Sequence, residues 1–147
     1  MKKQITVLAL LLVLGSSAAL ATDDSHVDKA VLASFQKEFT DAKNVSWSRE
    51  QDYYKAVFTL GDTRVIAFYT LNGEFAGSAR NLMPGQLPLV VTQEIGRRYG
   101  TPDLLEVTEI SNDAGTSYKI LIQTGGKRVK LSAYPSGEII VEKKFQK

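Results

Sequence analysis

The chain has 147 residues, no cysteine and a formal charge of +2. With no thiol it can form no disulfide and has no cysteine nucleophile. Its only histidine is His26, so an internal site would lack the commonest general base and the commonest metal ligand.

Residues 1–21 read as an export signal. Lys2 and Lys3 make a cationic start, Ile5 to Leu14 is almost unbroken apolar sequence, and Ala19-Leu20-Ala21 is an A-x-A cleavage pattern. The apolar run is about half the roughly 20 residues that a membrane-spanning helix needs. The expected outcome is a periplasmic or secreted protein, cleaved near Ala21, with no stable membrane anchor afterwards. Removing residues 1–21 from 147 leaves 126, enough for one domain with a real core. Lys2 and Lys3 leave with the signal, so sixteen basic residues then face sixteen acidic ones. That balance gives no electrostatic ground for a nucleic-acid partner or an anionic membrane surface.

In the remaining chain, Asp24 or Ser25 is placed to cap a helix whose apolar positions Val27, Val31, Phe35 and Phe39 recur every four residues. The acidic run Asp23 to Asp28 around His26 reads as that cap, not as a metal site. Strands follow near Val45–Ser48, Tyr53–Leu60, Thr63–Leu71 and Glu74–Arg80, with Gly61-Asp62 and Asn72-Gly73 suited to tight hairpin turns. The linker Met83 to Pro88 leads into a second helix through Val91, Ile95 and Tyr99, stopped by Gly100 and Pro102. Four more strands are predicted near Leu104–Ser111, Ser117–Thr124, Lys127–Tyr134 and Glu138–Phe145. A shift of 64 residues lays Tyr54–Ser78 over Tyr118–Glu142 with seven identical pairs, among them Tyr54/Tyr118, Gly61/Gly125 and Gly73/Gly137. The expected fold class is therefore α+β: a tandem duplication of a helix plus four-stranded antiparallel sheet unit, with the helices on one sheet face. Repeat one would span 26–82 and repeat two 88–147.

The helix ending in Phe39-Thr-Asp-Ala-Lys43, the following Asn44-Val-Ser-Trp47, and the Tyr-Lys…Gly…Asn-Gly-Glu hairpins resemble the PepSY-like, beta-lactamase-inhibitor-like secreted domains. The resemblance covers nearly all of residues 26–147. It implies a helix-plus-sheet fold in the bacterial periplasm with a binding or inhibitory role.

Catalytic chemistry is not indicated. Thr124-Gly-Gly-Lys127-Arg128 lacks the spacing and the following helix of a phosphate loop and reads as a hairpin turn. Glu106 with Glu109, and Glu138 with Glu142, are paired acids of the kind a glycosidase uses, but their neighbours Lys127, Lys143 and Lys144 suit a solvated sheet surface or a guarded edge strand. No serine has an internal histidine to activate it. An enzyme is not expected, nor is a cofactor or metal.

Comparison of strand faces is more informative. Val129, Leu131 and Ala133 alternate with Arg128, Lys130 and Ser132, as on a half-covered antiparallel sheet. In the first half Val65, Ala67 and Tyr69 form the matching core face, while Arg64, Ile66 and Phe68 occupy the other. Tyr53, Lys55 and Val57 of the neighbouring strand share that second face. Leaving Ile66 and Phe68 in water forgoes about 1.5–3 kcal/mol each. Tyr53, Lys55, Val57, Arg64, Ile66 and Phe68 are accordingly the candidate binding residues, with Ile66 and Phe68 expected to be solvent-exposed. The partner expected there is a protein or peptide of the cell envelope. The alternative is a small-ligand carrier or sensor with an apolar pocket between helices and sheet, lined by Trp47, Phe58 and Tyr99.

Overall fold

Asp28 caps the first helix: its Oδ1 accepts a hydrogen bond from the Ala30 N–H at 2.8 Å. A computed structural model describes residues 26–145. The export segment and the expected caps Asp24 and Ser25 lie outside the described residues. Helix α1 (Lys29–Glu38) is followed by β1 (Lys43–Glu50), β2 (Tyr53–Leu60), β3 (Thr63–Thr70) and β4 (Phe75–Asn81). A single 3-10 turn at Pro84–Gln86 leads to α2 (Leu89–Tyr99), then β5 (Asp103–Asn112), β6 (Gly115–Thr124), β7 (Lys127–Ala133) and β8 (Ile139–Phe145). The hairpin turns fall where Gly61-Asp62, Asn72-Gly73, Gly125-Gly126 and Pro135–Gly137 were expected to place them.

The expectation of a duplicated helix-plus-four-strand unit is corrected by the sheet itself. All eight strands form one antiparallel sheet in the order β1 to β8. Strand β4 pairs with β5 through Ser78, Ala79, Arg80 and Asn81 against Ser111, Ile110, Glu109 and Thr108. This pairing makes the backbone ladder continuous through the middle of the chain. A separate four-stranded unit would instead leave β4 and β5 as open edges, whose unpaired N–H and C=O groups are a template for association. The molecule is one sheet with two helices laid on it.

Both helices lie on the same face, with separate cores beneath them. Val31 and Phe35 of α1 pack on Trp47, Phe58, Val65, Ala67 and Tyr69. The contacts are largely edge-to-face, with the Phe35 ring 5.1 Å from Trp47 and 5.0 Å from Phe58. Val91 and Ile95 of α2 pack on an aliphatic set that includes Ile120, Ile122, Val129 and Leu131. Burying each such side chain contributes about 1.5–3 kcal/mol. Between the two cores, on the same face, Arg80 Nε donates to Glu109 Oε1 at 2.6 Å. At the far end Arg98 Nη1 donates to the Ile139 carbonyl at 3.0 Å and ties α2 to β8. At the near end the β3–β4 turn presses against α1. Gly73 has φ +88°, and a Cβ there would stand 2.9 Å from the Ala30 carbonyl carbon.

Candidate binding face

The ladder registers decide which side chains share the helix-free face. Lys55 stands opposite Phe68, Val57 opposite Ile66, and Thr59 opposite Arg64. Tyr53 alternates onto the same side, because Tyr54, Ala56 and Phe58 point into the α1 core. All six predicted residues therefore lie together on two adjacent strands, on the face without helices.

Their exposure differs from expectation. Phe68 is only 6% exposed and Ile66 only 9%. The cause is lateral packing within the sheet rather than cover from another layer. Ile66 is the middle of a cross-strand row, Val57–Ile66–Ala79–Ile110, that crosses β2 to β5. Ile110, at 3% exposure, completes it. Phe68 stands between Lys55 and Gly77, and the Lys55 ammonium is held by Glu50 Oε1 at 2.7 Å. That salt bridge keeps the lysine stem close to the sheet beside the ring, while its charge stays near water. Tyr53, Lys55 and Val57 are half-buried, and Arg64 is exposed. Arg64 edges a notch of about 320 Å³ shared with Asn81, Pro84, Leu105 and Glu106.

The same face over β5–β8 is polar. Ser132 was expected to face water with Lys130, yet it is 5% exposed. Lys119 Nζ donates to Ser132 Oγ at 2.6 Å, Ser132 Oγ donates to Glu142 Oε1 at 2.6 Å, and Lys119 also pairs with Glu142. Burial pushes the Glu142 carboxyl upward, but the hydrogen bonds from Lys119 and Ser132 outweigh it and hold the group below the usual carboxylate range. Ser132 here is no nucleophile, since its lysine neighbour is already committed to a carboxylate and little surface is open to a substrate. The acid pair Glu106 and Glu109, considered for glycosidase chemistry, is separated too. Glu106 shares the helix-free face with Leu121, whereas Glu109 lies on the helix face bonded to Arg80.

Beside this network lies a groove of about 460 Å³ that the sequence reading did not single out. It is lined by Glu106, Leu121, Gln123, Arg128, Lys130 and Phe145, with Gly126 at its end. Its rows follow the ladders: Glu106–Leu121–Lys130–Lys143, then Gln123–Arg128–Phe145. The alternation of Arg128 and Lys130 on β7 was visible in the sequence. Their meeting with Leu121 and Phe145 depends on register.

The carrier's expected pocket is absent as drawn: Trp47 and Phe58 pack under α1, while Tyr99, the last residue of α2, packs against the other core. Among the described residues no group of three or more His, Cys, Asp or Glu side chains could hold a metal ion. None of their helices is long and apolar enough to cross a membrane.

Helices on one face of an eight-stranded antiparallel sheet define a fold shared with several solved structures. A BLIP-like protein from Bacteroides fragilis NCTC 9343 superposes with a TM-score of 0.71 at 18% identity, over 82% of this chain and 88% of that one. A DUF2874 family protein from Bacteroides uniformis ATCC 8492 gives 0.69 at 18% identity, over 78% and 86%. A Bacteroides eggerthii DSM 20697 protein, provisionally named periplasmic, gives 0.69 at 16% identity, over 82% and 88%. At these identities the likeness establishes a beta-lactamase-inhibitor-like fold. No family model matches the sequence, and no curated protein matches it.

Proposed function

We propose that this protein is an exported, non-enzymatic binding module that recognises a protein or peptide of the cell envelope through its helix-free sheet face. The observation that carries this reading is the division of labour between the two faces. The helix face is filled by two packed cores, whereas the other face has no covering layer and carries two recesses, of about 460 and 320 Å³. Half-buried Tyr53, Lys55 and Val57, with exposed Arg64, supply an aromatic and cationic surface of the kind enriched at protein interfaces. Ile66 and Phe68 form the floor beneath them. The likeness to a BLIP-like protein supports a protein partner and suggests inhibition as the mode of action. Residues 1–21, with the neighbour named as periplasmic, support a periplasmic or secreted location. The PepSY-like kinship of the hairpin motifs fits the same reading.

The test is positional. A photo-cross-linking amino acid is placed at Thr59 or Gln123 on the helix-free face, and at Gln36 or Gln93 on the exposed sides of the helices. Illumination of the native cell envelope should give a discrete adduct from the first pair only. Adducts from the helix positions alone, or none from Thr59 and Gln123, would refute the assignment of the binding face.

A further inference from the structure

The groove over β6–β8 contains a charge arrangement that folding alone does not favour. Lys130 and Lys143 stand directly opposite each other in the β7–β8 ladder. Like charges at such positions are destabilising. The register shows how this pair arises. Leu131 pairs with Val141, so an unbroken ladder would set Lys130 against Glu142, a favourable pair. A bulge at Glu142 instead leaves Glu142 and Lys143 together opposite Lys130, whose charge still helps to hold the Glu142 carboxyl low. Glu142 then bonds Lys119 and Ser132. Bulges commonly re-aim side chains at functional positions. Arg128 joins the two lysines on the same face. Among the described residues none of the three cations lies within ion-pairing distance of an acid. The Lys143 ammonium instead sits 4.9 Å from the centre of the Phe145 ring. Leu121 and Phe145 give the groove apolar surface, and Glu106 is the one acid in its lining.

From this geometry we infer that the groove holds an acidic, extended polypeptide segment of the partner. Its carboxylates would meet Arg128, Lys130 and Lys143, and an apolar side chain would lie on Leu121 and Phe145. The inference rests on the proposed use of the helix-free face and specifies the chemistry recognised there. Spacing favours a polypeptide over a small anion. Arg128 and Lys130 are two residues apart on one strand, about 6.8 Å, which is the spacing of alternate side chains in any extended chain. An open groove on a sheet face also encloses a small ligand poorly, whereas small-molecule sites bury most of their ligand.

The test uses the isotopically labelled protein and the acetylated, amidated peptide Glu-Leu-Glu-Leu-Glu, followed by amide chemical shifts. Saturable shifts are expected to centre on β6–β8. The glutamine counterpart should bind at least about tenfold more weakly, and added salt should weaken the acidic peptide. The double variant Arg128→Glu/Lys130→Glu should lose at least about tenfold in affinity. Lys130→Gln alone should bind more weakly yet melt close to the wild type, because it relieves the repulsion with Lys143 while giving up the attraction to Glu142. Equal binding of the glutamine peptide, or the absence of saturable shifts, overturns the inference. So does citrate or phosphate producing the same shifts at the same affinity, which would make the groove a small-anion site. If peptide binding fails while cross-links from Thr59 and Gln123 persist, this inference falls alone. If those cross-links are also missing, the reading of the face falls with it.

Discussion

Replacing Tyr69 by phenylalanine should make the protein more stable. Tyr69 is fully buried in the α1 core, with ring centres 6.1 Å from Trp47 and 5.6 Å from Phe75. Its hydroxyl is the one buried side-chain polar atom among the described residues without a hydrogen-bond partner. An unsatisfied buried group of this kind costs about 1–3 kcal/mol. Tyr69→Phe keeps the ring and discards the hydroxyl, at the expense of a void one oxygen wide. A net gain of about 1–2 kcal/mol is expected, or about 4–8 °C in Tm for a domain of this size.

A second readout follows from titration. Burial, with the nearby Glu38 charge adding to it, pushes the Tyr69 phenol well above its ordinary value of 10.0. The unfolded phenol therefore ionises first as pH rises. The contribution is fully present below about pH 10 and drains away above it, by up to about 1.4 kcal/mol per pH unit. Tyr118 is raised as well, by burial and by Glu109, against an opposing effect of Arg80, so the alkaline loss in Tyr69→Phe should lessen without vanishing. Trp47 is the only tryptophan and lies in the same core, so its fluorescence reports the transition directly. Tyr54→Phe, which removes only a long 3.5 Å contact to the His26 carbonyl, should change little. A Tyr69→Phe protein that melts at or below the wild-type temperature would refute the reasoning, because the hydroxyl would then have a partner.

Gly73→Ala should destabilise by about 1–3 kcal/mol in urea unfolding, since the new Cβ needs a left-handed backbone and collides with Ala30. Gly61→Ala, with the same backbone sign and open space around it, should cost less. Glu142→Gln should cost about 1 kcal/mol at neutral pH, a figure kept small by partial exposure of the pair. Because the Glu142 carboxyl is lowered in the folded state, its contribution is present above about pH 4.5 and lost as pH falls further, so wild type and variant should converge in acid melts. Phe68→Asp should destabilise by about 3–5 kcal/mol, measured by its urea midpoint, because it places a charge where only 6% of the side chain reaches water. Wild-type stability in that variant would restore the exposed-patch reading.

The local elements were legible because apolar alternation and turn residues are written within a few positions of one another. Tyr54, Ala56 and Phe58 point one way and Lys55 and Val57 the other, and the structure keeps that phase. The continuity of the sheet was not legible. It depends on Ser78–Asn81 pairing with Thr108–Ser111, a mostly polar match between segments about thirty residues apart. Nothing in the alternation of either segment names its partner. Exposure failed for a related reason: the face a side chain occupies is a property of its own strand, but its burial depends on both neighbours. Phe68 has Lys55 on one side and Gly77 on the other, and the second neighbour comes through an irregular β3–β4 register. The groove was hidden more deeply still, because a single bulged residue brings Lys143 opposite Lys130 beside Glu142.

The bulge also separates two kinds of specialisation on one face. Over β2–β5 the face closes on itself through Val57, Ile66, Ala79 and Ile110, giving a floor whose side chains are already packed. Over β6–β8 it stays open and carries cations that the fold leaves unpaired. The first arrangement adds stability on the side away from both helices. The second gives stability up through a like-charge pair, which two solid cores on the opposite face allow the domain to tolerate. The cost is limited, because Lys130 also attracts Glu142, and lysines with a bulge on the edge strand β8 discourage pairing with another chain. Under the proposed use of this face, an acidic partner segment would complete the charge balance over β6–β8.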